Sequence, residues 1–423
     1  MLTRIVTHDT EPMGDLDVPL APRLNLLCGD NGLGKTFLID LAWWALTESW
    51  SRYPAMPRRG NGAVPSIHCE FDEPPTDIAP EGSQPLKAQF SFDEQRWMRG
   101  DGLGRRLVVY AKADGSFDIW DSYRMPGEKG MSAFDDPLIG ARRSSFDPNA
   151  VWDGLVIEDK TVRCNGLLRD WVAWQFQKPA LFDLLSRVIA RLSPHPEEIL
   201  RPGPPQRISI EDARDIPTLI LPYGTVPVTH ASAGMRRILA LAYMLVWAWN
   251  EHIEAARLRN TAPLGELVLL FDEVESHLHP QWQRAILPAL FQAISEMRAS
   301  LSVQILASTH APLVLASVET IFDEERDQLL HFGLAGDRIV VEPIPWAKQG
   351  DAVNWLVSET FGLTQARSRD AERAIEAAEA FMRGEPTPPD LASRDAIHAE
   401  LQRVLAGHDD FWPRWLVGTG AVK

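Results

Sequence analysis

Gly29-Asp30-Asn31-Gly32-Leu33-Gly34-Lys35-Thr36 fits G-x-x-x-x-G-K-[ST] and lies between two runs that suit it. Leu24 to Cys28 is apolar and short, as a buried strand is, and after Gly34 the residues Phe37, Leu41, Trp44 and Ala45 recur at helical spacing. The segment therefore reads as strand, glycine loop and helix. Glycines let such a loop turn its backbone N–H groups onto phosphates at a helix start. Gly29, Asn31, Gly32 and Gly34 are the expected cradle, with Lys35 reaching the β and γ phosphates and the Thr36 hydroxyl holding Mg2+. A plain glycine turn ahead of a core helix is the other reading of the same residues.

Leu267-Val268-Leu269-Leu270-Phe271-Asp272-Glu273 is a buried-strand run ending in two acids, the Walker B pattern. Asp272 is the expected Mg2+ partner, and Glu273 the general base that orients and deprotonates a water. Alone, such a run is also a strand ending in a solvated acidic turn. With the glycine loop it completes an ATP and Mg2+ site.

Between the motifs, S-I-H-C-E-F, K-A-Q-F-S-F, R-L-V-V-Y-A and S-F-D-I-W-D alternate as an antiparallel meander does. Residues 126–150 are rich in Gly, Pro, Ser and Asp and read as a loop. Helical periodicity follows, then strands over Thr218–Leu221 and Val303–Ala307 and a long apolar helix opened by Ser232. The expected plan is an ATPase core from 1–50 and 205–345, an antiparallel β insertion over 51–125, a loop plus helical insertion over 126–204 and a helical region over 346–423.

Composition closes several doors. The chain is 45% apolar and 24% charged over 423 residues, which suits one composite domain or a few lobes rather than a disordered chain. A formal charge of -16 excludes a surface that coats nucleic acid throughout, and leaves Arg58-Arg59, Arg96, Arg99, Arg105-Arg106 and Arg142-Arg143 as the local basic groove to test. Cys28, Cys69 and Cys164 are too dispersed for a disulfide framework or a zinc site. The first residues lack a signal-peptide core, and the apolar run Ile238–Trp249 is shorter than the roughly 20 residues a bilayer needs, so a cytoplasmic location without a membrane span is expected. Trp171, Trp174, Trp247, Trp249, Trp412 and Trp415 form close pairs; core packing accounts for them, and the terminal pair is the candidate protein interface.

Two further elements carry a resemblance. Ala231-Ser232-Ala233-Gly234-Met235 precedes the acidic strand and is similar to the L-S-G-G-Q signature of ABC-type ATPases, keeping Ser232 and Gly234, although a serine at a helix start is also an ordinary N-cap. Ser308-Thr309-His310 stands where those proteins keep a switch histidine. In this order the four elements resemble ABC-class ATPases of the SMC and RecF type. The run Asp272 to Pro280 is similar to the D-E-x-E-x-H-L-H-P of OLD, RecF-like and AAA-type defence ATPases, with His279 where transporter ATPases usually carry Asp. His230 to Arg237 resembles the ATPases paired with HNH nucleases in Septu and retron-linked anti-phage systems.

The resemblance implies an α/β fold, an ABC-type P-loop NTPase core with the insertions above. It further implies a homodimer in which Ser232 and Gly234 of one copy meet the γ-phosphate held by the other, with His310 sensing that phosphate. An HNH-type nuclease is the implied separate subunit and nucleic acid a candidate contact; no membrane partner is implied. The departures are equally specific. About 195 residues, reading as a meander and helices, replace the long coiled coils of SMC proteins, and neither Gln175 nor Gln177 is a clear Q-loop residue. Residues 311–423 show no Toprim acids, and His398 and His408 lack an HNH context. The expectation is an ATPase that senses or regulates for a partner nuclease; the alternative is a RecF-like DNA clamp in repair.

Overall fold

Every side chain from Leu24 to Cys28 is buried, which requires a partner on both strand edges and a layer on both faces. The computed structural model describes residues 1–58, 64–72, 85–99, 105–124, 145–157, 160–194 and 197–419. Contacts divide the chain into two units, 1–350 and 351–423.

In the first unit β1 (Leu2–Glu11) and β2 (Gly14–Pro19) make a hairpin, followed by β3 (Leu24–Gly29) and α1 (Lys35–Thr47). Next come β4 (Met56–Pro57), β5 (Ser66–Phe71), β6 (Leu86–Ser91), β7 (Arg96–Arg99), β8 (Leu107–Ala111), β9 (Phe117–Asp121) and β10 (Ser145–Phe146). After α2 (Pro148–Asp153) a two-stranded pair, β11 (Leu155–Val156) and β12 (Val162–Cys164), leads to α3 (Leu167–Gln177) and α4 (Pro179–Arg191). The strands β13 (Arg201–Arg207), β14 (Asp215–Leu221) and β15 (Gly224–Pro227) precede α5 (Ala233–Leu258). The unit closes with β16 (Glu266–Phe271), α6 (Pro280–Gln283), α7 (Ile286–Met297), β17 (Ser302–Ser308), α8 (Pro312–Val318), β18 (Asp327–Ala335) and β19 (Arg338–Ile344).

The principal sheet runs β10-β9-β8-β16-β17-β3-β18-β19. Its centre is parallel, from β8 through β16, β17 and β3 to β18, and its margins are antiparallel. A second, antiparallel sheet runs β2-β1-β5-β6-β7 with β4 on the edge of β1. Between them lies α1, and one apolar cluster joins all three: Ile5, Val18 and Trp97 from the antiparallel sheet, Leu38, Trp43 and Trp44 from the helix, and Leu270, Leu306 and Phe332 from the principal sheet. A helix apolar all round is a helix covered all round. The α/β reading of the sequence is thus realised as three layers.

Strand pairing redraws the lobes. Residues 107–121, expected within the antiparallel insertion, belong to the principal sheet: Val108 to Ala111 pair in parallel with Val268 to Phe271. Alternation in a short run is common to both settings, and the pairing partner lies some 160 residues further along, beyond any local pattern. Conversely β1 and β2, expected in the core, begin the antiparallel sheet, and 201–227 form a separate three-stranded sheet. The loop expected over 126–150 falls largely, at 126–144, outside the described residues, and its end becomes β10 and α2.

The second unit contains α9 (Ala352–Leu356), α10 (Arg369–Arg383), α11 (Arg394–Val404) and α12 (Phe411–Gly418). Ser368 and Ser393 cap α10 and α11, and Ala374, Ile375, Ile397, Leu401 and Trp415 form its core. The terminal tryptophans are not a free aromatic surface. Trp415 is fully buried, with its indole N–H donated to His398 Nδ1 at 3.1 Å, and Trp412 donates to the Ala406 carbonyl. Trp171, Trp174, Trp247 and Trp249 are buried too, as core packing requires. Among the described residues no helix is long and apolar enough to cross a membrane.

Candidate functional site

Parallel strands leave their carboxyl ends on one edge of a sheet, and a crevice there is the usual ligand site of such folds. Here β3 ends at Gly29, β16 at Phe271 just before the two acids, and β17 at Ser308 just before Thr309 and His310. The register aligns Phe271 with Ala307 and Ser308 with Leu27, so residues distant in sequence reach one level.

The glycine loop is built as its composition demands. Gly29, Gly32 and Gly34 all have positive φ. A Cβ on Gly29 would fall 2.2 Å from the Phe332 carbonyl oxygen of the adjoining strand, so only glycine fits. Gly34, in the left-handed region, is the N-cap of α1, and the helix start faces the crevice with Lys35 and Thr36 in its first turn. Lys35 Nζ donates to the carbonyls of Gly29 and Asp30 at 2.8 and 2.7 Å, and burial lowers its pKa. The ammonium is thereby held inside its own loop.

Opposite sits Asp272, which is buried. Its Oδ1 accepts from Thr36 Oγ1 at 2.8 Å and from Ser308 Oγ at 2.9 Å, and its Oδ2 from Arg52 at 3.0 Å. Arg52 also lies 3.9 Å from Asp40, one helical turn beyond Thr36. The Asp40 carboxyl accepts from the Tyr110 hydroxyl at 3.0 Å, and burial first of all pushes its pKa up to about 6. A hydroxyl beside a carboxylate oxygen is a hard oxygen donor set, the kind Mg2+ takes when phosphates complete its shell. The residues fit that ion.

Glu273 has φ +49, and its amide donates to Ser308 Oγ at 2.8 Å. Its own carboxylate accepts from Ser276. Glu275, two residues on, accepts from Thr309 Oγ1 at 2.8 Å and from the His310 amide at 2.6 Å, which ties the acidic turn to the end of β17. The His310 pKa is lowered by burial and then by Lys35, so its imidazole is neutral near pH 7.

The structure thus gathers most of the expected site around one cavity of about 540 Å3, which Gly29, at the end of β3, does not line. Asn31, Gly32, Gly34, Lys35 and Thr36 line it from the loop, and Asp272, Glu273 and His310 from the strand ends. Arg52, Asp40 and Ser308 also line it. Arg52 and Asp40 carry no sequence signal, since Arg52 follows the motif helix at no fixed spacing and Asp40 shows itself only as the acid one turn after Thr36, whereas Ser308 opens the Ser308-Thr309-His310 run that the sequence singles out. Ser232 and Gly234 are not in the cavity. Ser232 is exposed and caps α5 through Met235, while Gly234 packs on the loop after the acids, where a Cβ would come 3.0 Å from the His277 carbonyl. Among the described residues no glutamine lines the cavity; Gln175 instead donates to the Gly203 carbonyl.

The basic groove is not assembled among the described residues. Arg58 pairs with Glu11 and Arg96 with Glu94, while Arg105 and Arg106 lie over Tyr123 and Phe71. Arg59, Arg142, Arg143 and the Arg99 side chain are outside the described set.

Residues 24–316 match a protein-family model described as "AAA domain, putative AbiEii toxin, Type IV TA system". The Septu protein PtuA of Bacillus thuringiensis is 22% identical over 370 residues, covering 82% of this chain and 80% of that protein. Among solved structures, the SMC head domain from Thermotoga maritima is similar over 82% of this chain and 99% of its own, with 14% identity and a TM-score of 0.41. The recombination mediator RecF, in its RecFOR-pathway structure, is similar over 82% and 98%, with 13% identity and a TM-score of 0.37.

Proposed function

The chain belongs to the AAA-domain family matched over residues 24–316, and from that premise we propose that it binds and hydrolyses ATP with Mg2+ to regulate a partner nuclease in anti-phage defence. The observation that carries the nucleotide half is the meeting of Thr36 Oγ1 and Asp272 Oδ1 at 2.8 Å beside the glycine loop. Bound there, Mg2+ would supply charge neutralisation for the phosphates. The rest is the chain's own work: Lys35 and the loop amides hold phosphate oxygens, Glu273 accepts a proton from the attacking water, and His310 donates or accepts at the γ-phosphate from the end of β17.

Ser232 and Gly234 support a second copy in this mechanism. They lie outside their own cavity, Ser232 exposed at the N-cap and Gly234 buried in the first turn of a helix whose N–H groups favour an anion. In a homodimer each copy would close the other's site and exclude water there. The defence role and the HNH-type nuclease rest on the similarity to Septu PtuA and on the signature segment 230–237.

Native mass spectrometry of the chain co-expressed with the product of its neighbouring gene, with and without Mg2+ and ATP, tests the proposal. A complex holding two copies of this chain and a nuclease-sized second chain is expected, trapped in its ATP-bound form by Glu273→Gln. A bare homodimer that forms only with ATP and binds DNA alone would overturn the nuclease-regulator reading in favour of a repair clamp.

A further inference from the structure

One buried hydroxyl joins the two acids of the site. Ser308, 1% exposed at the end of β17, donates its hydroxyl proton to Asp272 Oδ1 at 2.9 Å and accepts the Glu273 amide on the same oxygen at 2.8 Å. Its carbonyl accepts the Val274 amide at 3.1 Å. Three consecutive residues of the acidic turn therefore meet one residue of the neighbouring strand. That strand is paired on both edges, with Ala307 beside Phe271 and Leu26, and Ser308 beside Leu27 of β3. A group carried on such an element is placed more exactly than one carried on a loop.

The two acids depend on that hydroxyl to different degrees. Asp272 also keeps Thr36 on Oδ1, Arg52 on Oδ2 and its own amide on the Ala111 carbonyl. Glu273 has φ +49, in the left-handed region, where a residue with a Cβ persists only if its surroundings hold it. A backbone amide has one proton to give, and Glu273 gives it to Ser308. We propose that Ser308 is a positioning residue for hydrolysis: its hydroxyl holds Glu273 in the left-handed conformation that aims the carboxylate at the attacking water. The inference rests on the reading of Glu273 as general base and names what keeps that base in place. Ser308→Ala removes Oγ but not the carbonyl, so Val274 stays tied to β17 while the peptide between Asp272 and Glu273 loses its anchor. Lys35 is fastened separately, on the Gly29 and Asp30 carbonyls, so nucleotide binding should survive the change.

A double-mutant cycle on the full chain tests this, with wild type, Ser308→Ala, Glu273→Gln and the double variant compared by single-turnover hydrolysis of labelled ATP and by calorimetric ATP binding, both with Mg2+. Ser308→Ala is expected to slow hydrolysis about ten- to a hundredfold, the effect of misplacing a reacting group by about 1 Å, and to move the ATP Kd less than about threefold. Ser308→Thr, which keeps the hydroxyl, should bring the rate back to within about threefold of wild type. In the Glu273→Gln background the alanine change should cost less than about twofold, because the group it positions is already gone. The proposal is overturned if the two losses multiply, if ATP binding weakens in step with the rate, or if Ser308→Ala hydrolyses like the parent. Should the threonine variant fail to fold, the cycle alone decides. A Glu273→Gln variant that hydrolyses at the parental rate would overturn the base itself and the positioning with it, whereas multiplying losses overturn the positioning alone.

Discussion

Arg237, on the second turn of α5, donates to the carbonyl of Lys112 at 2.5 Å, and the neighbouring carbonyl, Ala111, receives the amide of Asp272 at 2.9 Å. Consecutive peptide groups thus tie the helix that opens with Ser232 to the carboxylate beside Thr36. The Arg237 guanidinium otherwise meets only the Phe117 and Phe271 rings among the described residues, 5.9 and 5.6 Å from their centres, while Nε and Nη1 are buried without hydrogen-bond partners and burial lowers its pKa to about 10. A buried cation this poorly served weakens the fold, and an apolar residue of similar length removes that cost. Arg237→Met should melt at or a few degrees above the parental temperature in calorimetry, yet hydrolyse ATP at least about tenfold more slowly. A variant with lower Tm and unchanged hydrolysis would contradict this.

Arg52 neutralises Asp272 and Asp40 together, and an Mg2+ ion bound as proposed would have to compete with it for Asp272. In Arg52→Ala the two carboxylates lose the guanidinium that lies between them, so the variant should lose stability in EDTA and recover much of it on adding MgCl2. The wild-type protein should respond less. Paired melting curves with and without Mg2+, in the absence of nucleotide, decide the matter.

Asp40 sets a pH dependence with a definite sign. Its folded pKa of about 6 lies above the unfolded value near 3.8, so the folded state resists ionisation. The stability it allows is complete below about pH 4 and is lost as pH rises toward 6 and past it. Two units amount to roughly 3 kcal/mol at most. Asp40→Asn keeps an acceptor for Tyr110 and removes the charge. Urea unfolding should show the variant gaining on wild type between pH 4.5 and 7.5 by on the order of 1–3 kcal/mol.

Glu275 is the only described link from the acidic turn to both Thr309 and the His310 amide. Its loss should let the β17 end drift while the phosphate loop stays intact. Glu275→Ala is expected to slow hydrolysis about ten- to a hundredfold and to change ATP affinity less than about threefold. Parallel loss of binding would mean that Glu275 supports the loop as well.

Local patterns carried the parts of this site that are themselves local. The loop 29–36 and the acids 272–273 are contiguous, and each sits at a strand end because a buried apolar run needs one. Arg52, Asp40 and Tyr110 escaped notice because their meaning is a three-dimensional coincidence: one comes from the loop after α1, one from its second turn and one from β8. The lobes failed similarly. The pattern of 107–111 suits either sheet, and only pairing with 268–271 settles which. Trp415 shows the opposite error, since a position near the chain end says nothing about burial when α10 and α11 offer an apolar face.

The placement of β3 also bears on how the chain is made. Its neighbours are β17 and β18, and Leu24 pairs with Ile305 and Asp327. The buried Gln304 holds both the amide and the carbonyl of Leu2, fastening the start of the chain to the same late strand. At roughly 5–20 residues per second, the ribosome needs about 14–56 s to pass from one partner to the other. Throughout that interval the phosphate-loop strand leaves the tunnel with both edges bare, a state open to aggregation or chaperone capture. Nascent chains stopped before residue 302 would carry an intact motif and no β17 to place beside it. Nucleotide binding in this protein is therefore a property acquired late in synthesis, when the last strands close over the first.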